Sequence, residues 1–407
     1  MRYLNHLLKR FVQRGRLTIV DAAGTAHPFG PGGDVEVTVR LHDQKVEREI
    51  FFNPELKAGE AYMDGRLTIE DGGTIYDLLH LFSINRTSLG QHPVQKALRR
   101  VWKLMKRRHQ SNPVGQAAKN VRHHYDIPED FYKLWLDEGM SYTCAYYPRR
   151  DMTLEEAQTA KMRHVAAKLK LEPGMHVAEL GCGWGGLAIY MAKTCGVRVT
   201  AVNVSPEQLA VARRRAEAEG LADRVTFIEQ DLRDLTGTYD RVVAIGALEH
   251  IGVPRYDEFF NQIKSLMKPD GFALIHAIGH MTPPGTTAPF IRKYIFPGGY
   301  SPALSEVFAS TERTRLWVAD CECLRLHYAW TIHEWHERFK AHRDTVVGML
   351  DERFARMWEF YLAAVELGFE NGSNFIFQLL LAPERDNVPI VRDYITDDER
   401  KLAELDG

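Results

Sequence analysis

The central part of the chain alternates short apolar runs with longer segments in which apolar residues recur at helical spacing. The runs predict strands at 176–180, 198–204, 224–230, 239–246 and 271–278, and the segments between them predict helices at 185–194, 206–219 and 254–267. Strands that are buried on both faces and alternate with helices are typical of a doubly wound α/β fold with a parallel sheet. An aromatic-rich insertion at 279–372, suited to capping an active site, precedes a last predicted strand at 375–381.

The amino-terminal region shows a different and shorter pattern. Alternating apolar residues predict a strand over 35–41, a further apolar stretch covers 46–52, and helical spacing continues through Leu79. This pattern indicates a small α+β domain. We therefore expect an amino-terminal domain over residues 1–90, a basic linker helix over 91–114 and the larger α/β domain over 115–407.

Two segments combine an apolar helical face with basic side chains and contain no acidic residue. In the first twenty residues, several leucines and Phe11 share one face and five basic side chains accompany them. The segment 96–108 carries seven basic side chains, and its apolar face consists of Leu98, Val101, Trp102 and Met105. Each segment suits an anionic phospholipid surface, and each can instead pack by its apolar face against the protein itself.

Composition limits the cellular setting and the class of partner. The formal net charge of −2, from 52 basic and 54 acidic residues, gives no reason to expect a nucleic-acid partner. The five cysteines are odd in number and lack CxxC spacing, which disfavours a metal site and a secreted disulfide framework and favours the cytoplasm. No apolar run approaches the roughly 18 residues of a membrane span, so we expect any membrane contact to be peripheral.

The segment 177–186, VAELGCGWGG, predicts a strand that ends in a glycine-rich turn and opens a helix. Gly181, Gly183 and Gly186 form a GxGxxG motif, in which glycines permit a tight turn and a close approach of a ligand to the backbone. The helix that follows presents unpaired N–H groups. Alone, the motif is compatible with a plain turn, a dinucleotide site or a site for an adenosyl sulfonium.

The residues after the next strands favour the sulfonium. A dinucleotide site normally has an acidic residue at the end of its second strand, where this chain has Asn203 and Val204. Outside the glycines, the residues predicted to bind S-adenosylmethionine are Glu179, Asn203, Val204, Gln230, Asp231 and Leu232. Asp231 has a simpler alternative interpretation, as a turn residue that ends a strand.

Several segments, in the same order, resemble the cyclopropane fatty acid synthase family, which includes the mycolic acid cyclopropane synthases. They are HHYDIPEDF, MSYTCAYYP, VAELGCGWGG, NVSPEQ, QDLRDL, AIGALEHIG and LIHAIG, and they span roughly residues 115–382. The resemblance implies a Rossmann-like class I methyltransferase sheet. Residues 1–90 also resemble the amino-terminal domain of the phospholipid-acting bacterial members, which implies unsaturated phospholipid at the membrane surface as substrate.

The resemblance implies methyl transfer from S-adenosylmethionine to a cis double bond of an acyl chain, followed by proton loss and closure of a cyclopropane ring. In the family a bound bicarbonate ion assists the proton loss. Carried over by motif, the residues around that ion are Cys144, Glu249, His276, Ile278 and Tyr328, and Cys144 and Ile278 contribute backbone groups. Tyr142, Thr143 and Gln208 match positions that contact the cofactor, and the family also implies a homodimer.

The proposed catalytic groups are chemically suitable, yet each has a simpler interpretation. Glu249 follows an apolar strand and can orient the ion or accept its proton, while His276 and Tyr328 can donate hydrogen bonds. Cys144 can equally be a small buried residue, His276 a core histidine and Tyr328 a packing residue. Compared with the family, Glu179 replaces Asp and Asn203 replaces Thr, which leaves open how the ribose is held.

Three other functions remain compatible with the sequence. The first is an acyl-chain methyltransferase that leaves a methyl or methylene branch without closing a ring. The second is a small-amine N-methyltransferase, which would have no use for the basic amphipathic segments. The third, a non-catalytic lipid-binding protein, is disfavoured because the glycine turn and the proposed catalytic groups occur together. For the favoured function we expect an enzyme attached peripherally to the inner face of the membrane.

Overall fold

The computed structural model describes residue 1, residues 4–86 and residues 127–406. The strands are β1 (Gly15–Val20), β2 (Ala26–Gly32), β3 (Glu36–Leu41), β4 (Leu67–Glu70), β5 (His176–Leu180), β6 (Arg198–Asn203), β7 (Val225–Glu229), β8 (Tyr239–Ile245), β9 (Met267–His280), β10 (Trp317–Leu324) and β11 (Asn374–Ala382). The helices are α1 (Leu4–Phe11), α2 (Gln44–Phe52), α3 (Pro54–Met63), α4 (Ile75–Ile84), α5 (Glu129–Lys133), α6 (Leu154–Lys168), α7 (Gly186–Thr194), α8 (Pro206–Ala218), α9 (Tyr256–Leu266), α10 (Leu304–Thr314), α11 (His327–Ala341), α12 (Arg343–Met349), α13 (Glu352–Glu370) and α14 (Asp393–Ala403).

These residues form two compact units, each assembled from separate segments of the chain. The first unit contains the described residues up to 86 together with Thr286–Pro297 and Ile332–Ser373. The second contains the described residues from 127 to 285 together with Gly298–Thr331 and the residues from Asn374 onward. The predicted linker helix, including the basic segment 96–108, lies outside the described residues. None of the helices that the structure describes is long and apolar enough to cross a membrane.

The first unit contains a four-stranded sheet in the order β2-β1-β3-β4. Strand β3 was predicted from its alternation, whereas β2 contains two prolines and two glycines and β4 is only four residues long, so neither has a clear period. The apolar stretch at 46–52 forms α2. Asp43 begins that helix, because its side chain accepts hydrogen bonds from Lys45 N at 2.8 Å and Val46 N at 3.1 Å.

Helix α1 buries its apolar face within the first unit. Leu4, Leu7, Leu8 and Phe11 are each at most 4% exposed, whereas Lys9 and Arg10 lie on the exposed side. Of the two interpretations of this segment, the structure therefore shows the packed one. The face that remains for an anionic surface is basic and polar, without the leucines.

Two parts of the insertion pack into the first unit. The Phe290 ring lies 4.5 Å from that of Phe360, centroid to centroid, and is buried. A Cβ at Gly59 of α3 would lie 2.5 Å from the Phe290 ring, so this helix position has no room for a larger residue. Tyr294 donates a hydrogen bond to Glu60 at 2.8 Å. The first unit is thus assembled from the amino-terminal residues and from two distant segments of the insertion.

The second unit contains a seven-stranded sheet in the order β10-β11-β9-β8-β5-β6-β7. Strands β5 to β9 pair in parallel, and β11 pairs antiparallel with both β9 and β10. The mixed α/β fold with a parallel centre is therefore confirmed. The sequence did not predict β10, because this edge strand is mostly exposed and carries polar residues in place of an apolar run.

The carboxyl ends of the parallel strands meet at one edge of this sheet. Gly181 N donates to Val202 O at 2.9 Å, Gln230 N donates to Asn203 O at 3.0 Å, and Gly246 N donates to His276 O at 2.9 Å. These bonds bring the turns after β5, β6, β7 and β8 beside one another. In open α/β sheets this edge is where ligands bind.

Candidate active site

The glycine-rich turn after β5 depends on backbone conformations that favour glycine. Gly181, Gly183 and Gly185 have φ values of +88°, +52° and +81°. The third glycine of the predicted motif, Gly186, has a different role: it begins α7, and a Cβ there would lie 3.0 Å from Gly139 O. Gly185 was therefore missed by the motif. Its added Cβ would meet Ala212 Cβ at 2.7 Å.

Glu179, on β5 just before this turn, is buried with one carboxyl oxygen unused. Its Oε2 has no hydrogen-bond partner among the residues that the structure describes. Burial raises the pKa of Glu179 to about 8. Nearby, a Cβ added at Gly183 would meet no atom within 4 Å. A free acceptor beside an open stretch of backbone fits a ligand that presents hydrogen-bond donors, such as the amino-acid end of S-adenosylmethionine.

Asn203 and Gln208 hold the glycine turn with their side chains. Asn203 Nδ2 donates to Gly183 O at 3.2 Å and to Gln208 Oε1 at 2.8 Å, and Asn203 Oδ1 accepts from Val204 N at 2.8 Å. A dinucleotide site has its ribose-binding acid at this position. Here the position is occupied by Asn203, whose side chain holds the glycine turn in place. This contact ties the end of β6 to the turn after β5.

Asp231 ends the third parallel strand in an ion pair. It caps the short turn Leu232–Asp234, accepting from Arg233 N at 3.0 Å, and its Oδ2 lies 2.7 Å from Arg233 Nη2. This is the geometry of the turn interpretation. Gln230, immediately before, keeps its place at the ligand edge through the backbone bond to Asn203.

The segment that carries Tyr142, Thr143 and Cys144 packs against this edge. The Tyr142 ring lies 5.2 Å from that of Trp135, within an aromatic cluster that reaches Trp184 of the glycine turn through Tyr132. A Cβ at Gly246 would lie 3.6 Å from Thr143 Cγ2. Thr143 is therefore beside the turn after β8.

Cys144 is buried, and burial raises the pKa of its thiol far above the ordinary value. Its Sγ lies 3.1 Å from Ala145 O, the carbonyl it can donate to. A buried thiol with a raised pKa is a poor nucleophile. Cys144 can therefore contribute to this site through its backbone or through its packing, and not as a nucleophile.

Glu249 lies in the short turn Leu248–His250, after β8, and is buried. The backbone N–H of Ile278 on β9 donates to Glu249 Oε1 at 2.7 Å. Its other oxygen, Oε2, has no partner within the described part of the chain. Burial raises the pKa of Glu249 to about 7, against the lowering effect of the Ile278 bond. Ile278 thus supplies a backbone group that orients the carboxyl.

His276 lies two residues before Ile278 on the same strand and is almost fully buried. Gln378 Nε2 lies 3.1 Å from His276 Nδ1, and in this orientation of the amide Gln378 donates and Nδ1 accepts. Burial lowers the pKa of His276 far below its ordinary value, so the ring is neutral and its proton is on Nε2. No described residue accepts from that Nε2–H. It is a buried donor directed at no protein atom.

Tyr328 lies in the first turn of α11 and is buried. Two bonds hold this turn beside the Cys144 segment: Ala145 N donates to Thr331 Oγ1 at 3.0 Å, and Tyr147 N donates to His327 Nδ1 at 2.9 Å. Burial lowers the pKa of His327 to about 4, which keeps Nδ1 available as an acceptor. His327 and Thr331 were not identified from the sequence.

Gly246 is the point where these parts meet. Its N–H bonds to His276 O, its α-carbon faces Thr143, and the turn with Glu249 begins two residues later. The structure therefore brings Glu249, His276 and Ile278 together and places the Thr143–Cys144 segment next to them. An acceptor or acid on Glu249 and a neutral donor on His276 can together hold a small anion that also carries a hydroxyl.

Comparison with known proteins confirms the resemblance. The family model described as mycolic acid cyclopropane synthetase matches residues 113–379. The cyclopropane-fatty-acyl-phospholipid synthase of Escherichia coli K12 is 38% identical over 261 residues, 64% of this chain and 67% of that protein. Tuberculostearic acid methyltransferase UfaA1 of Mycobacterium tuberculosis is 32% identical over 402 residues, 93% of this chain and 91% of that protein. A crystal structure of mycolic acid cyclopropane synthase CmaA1 complexed with SAH and CTAB aligns with a TM-score of 0.62 at 30% identity, covering 65% of this chain and 97% of that one.

The two unlike glycines of the turn separate cofactor binding from folding. Gly183→Ala adds a methyl group to the open space that we assign to the cofactor. We therefore expect the binding of S-adenosylhomocysteine to weaken by about tenfold, with a small loss of thermal stability. Gly185→Ala forces a contact of 2.7 Å with Ala212, so we expect a clear drop in melting temperature. Calorimetric titration and thermal unfolding of both variants measure the two effects. Equal loss of stability in both, with unchanged binding in Gly183→Ala, would contradict this assignment.

Proposed function

Because the chain belongs to the mycolic acid cyclopropane synthetase family and is an S-adenosylmethionine-dependent methyltransferase, we propose that it acts on unsaturated phospholipid acyl chains. It transfers the methyl group to a cis double bond and closes a cyclopropane ring. The observation that supports this most is the pair of buried, unused polar atoms, Glu249 Oε2 and His276 Nε2, at the ligand edge of the sheet. Methyl transfer to a double bond leaves a carbocation, and a proton has to be removed from it before a neutral product forms; these two atoms can hold a small base for that step.

The glycine-turn half of the site holds the cofactor. S-adenosylmethionine, when bound, supplies an electrophilic methyl group on a sulfonium sulfur. An alkene is a weak nucleophile, so the protein has to hold the double bond close to that methyl group and exclude water. The residues placed to bind the cofactor are the glycines, Glu179, and the Tyr142–Thr143 segment, with Asn203 and Gln208 as supports.

The Glu249 half of the site provides for the loss of a proton after methyl transfer. Bicarbonate, when bound, supplies a small base that does not capture the carbocation. The residues present fit this ion: His276 Nε2–H can donate to its oxygens, and Glu249 Oε2 can accept from its hydroxyl. The resemblance adds the Tyr328 hydroxyl as a further donor. The Ile278 N–H holds Glu249 in this orientation, and Cys144 is buried in the segment that follows Thr143.

A second function is favoured by one comparison. Tuberculostearic acid methyltransferase UfaA1 aligns with 93% of this chain, a larger share than the 64% matched by the E. coli synthase. An enzyme of this second kind methylates an acyl chain and leaves a branch, so the cation would lose its proton without closing a ring. The cofactor half of the site would be used in the same way by both reactions.

The lipid substrate places the enzyme at the inner face of the membrane as a peripheral protein. The name of the E. coli relative supports a phospholipid rather than a free fatty acid as substrate. Its use of intact membrane lipid would account for an amino-terminal unit in addition to the methyltransferase sheet. A homodimer remains part of this proposal.

The product formed from unsaturated phospholipid vesicles distinguishes the two functions. With S-adenosylmethionine labelled in its methyl group, we expect label in the acyl chains and, after release of the fatty acids, a mass gain of one methylene with a cyclopropane ring detected by mass spectrometry. Vesicles of saturated phospholipid are the matched control and should stay unlabelled. A labelled branched product without a ring would refute ring closure, and unlabelled lipid would refute the lipid substrate.

The ionisation of Glu249 predicts the pH dependence of turnover. Its raised pKa leaves the carboxyl protonated below about pH 7 and ionised above it. Because the proposed role uses the ionised form, kcat should rise as the pH increases through about 7, at a bicarbonate concentration held constant. Glu249→Gln should lower kcat by about a thousandfold and keep the affinity for S-adenosylhomocysteine. Full activity in Glu249→Gln would show that the carboxyl has no part in the reaction.

A further inference from the structure

Helix α6 carries two lysines on its buried face, and only one of them is paired with carboxylates. Lys168 Nζ lies 2.6 Å from Glu322 Oε2 and 3.8 Å from Asp320 Oδ2. Lys161, two turns earlier, is 4% exposed, and its Nζ donates to Thr143 Oγ1 at 3.0 Å. Within the described ranges no carboxylate forms an ion pair with it. A buried ammonium group without an ion pair is costly to stability, so its presence calls for a reason.

The same face of α6 holds the segment that lies between the two halves of the site. Gln158, one turn before Lys161, donates through Nε2 to Ser141 O at 3.3 Å and to Thr143 O at 2.9 Å. Lys161 holds the hydroxyl of Thr143, and Gln158 holds its carbonyl. Thr143 is thereby fixed at two points, and its methyl group faces Gly246, where the turns of the site meet.

The charge of Lys161 interacts with ionisable groups in both halves of the site. Burial lowers the pKa of Lys161, while the charges of Asp137 and Glu179 act in the opposite direction. On the other side, the positive charge of Lys161 adds to burial in holding the pKa of His276 below its ordinary value. Lys161 therefore lies near the acid of the cofactor half and near the imidazole of the other half.

We propose that Lys161 is a positioning residue for the cofactor, which holds the Tyr142–Cys144 segment in its binding conformation through the hydroxyl of Thr143. This inference rests on the proposed function for the identity of the cofactor, and on the two hydrogen bonds from α6 for the geometry. Burying the ammonium group lowers the stability of the fold, and the contact with Thr143 that it makes serves binding. Removal of the charge should weaken the site without weakening the fold.

The test compares Lys161→Met with the matched control Lys168→Met in the full-length protein. For Lys161→Met we expect binding of S-adenosylhomocysteine to weaken by about tenfold, because a hydrogen bond from a charged donor is lost, while the melting temperature stays equal or rises. For Lys168→Met we expect a lower melting temperature, because Glu322 and Asp320 each lose one of their cationic partners, with binding within about twofold of the wild type. Calorimetric titration and thermal unfolding give both readouts.

A second substitution keeps the test decisive if Lys161→Met fails to fold. Lys161→Gln retains an uncharged donor on a side chain that is one bond shorter, and it should weaken binding by about threefold at an unchanged melting temperature. Unchanged affinity in a folded Lys161 variant, or a loss of affinity that only accompanies a loss of stability, would overturn the proposal. Failure of the proposed function appears separately, as wild-type protein that binds S-adenosylhomocysteine but labels no lipid.

Discussion

The hydrogen bond from the Ile278 N–H to Glu249 Oε1 fixes a carboxyl group inside the protein where water does not compensate its charge. A buried carboxyl with one oxygen bound and the other unused is unfavourable for folding, since each unsatisfied polar atom costs about 1 to 3 kcal/mol. The neighbouring His276 Nε2–H carries a cost of the same kind. A ligand that supplies both missing partners would recover both costs. Such a ligand would carry a hydrogen-bond acceptor and a donor.

The sheet explains why these groups can be held so rigidly. His276 and Ile278 belong to β9, which pairs with β8 on one side and β11 on the other, so their backbone has little freedom. Gln378 on β11 fixes the imidazole from the opposite strand. Glu249 and the glycine turn, by contrast, lie on loops at the carboxyl edge. Rigid strands supply the orientation, and the adjoining loops supply the space for substrate.

The parallel centre of the fold could be predicted because each of its strands is a local apolar run. The glycine turn and the motif residues were also visible in the sequence. What the sequence did not show are roles that depend on distant contacts. Gly185 matters through Ala212 and not through the GxGxxG pattern. Lys161 lies on the buried face of α6, and its partner Thr143 is 18 residues away in the sequence.

The insertion shows the same limit on a larger scale. Its aromatic content indicated a buried role, yet only the structure shows that Phe290 packs on α3 and α13 in the first unit while β10 joins the sheet of the second. Local periodicity does not encode which unit a segment joins. The catalytic assignments transferred by resemblance depend less on this, because Glu249, His276 and Ile278 all lie on the sheet or directly after it.

The central claim is that Glu249 and His276 together hold a bicarbonate ion, and binding of the ion itself tests it most directly. With ¹³C-labelled bicarbonate, the wild-type protein should broaden the ¹³C resonance of the ion in a saturable manner. His276→Phe, which keeps an aromatic ring at this position but removes the buried N–H donor, should abolish that broadening. The variant should still bind S-adenosylhomocysteine. Equal broadening by the two proteins, or none by the wild type, would contradict the account.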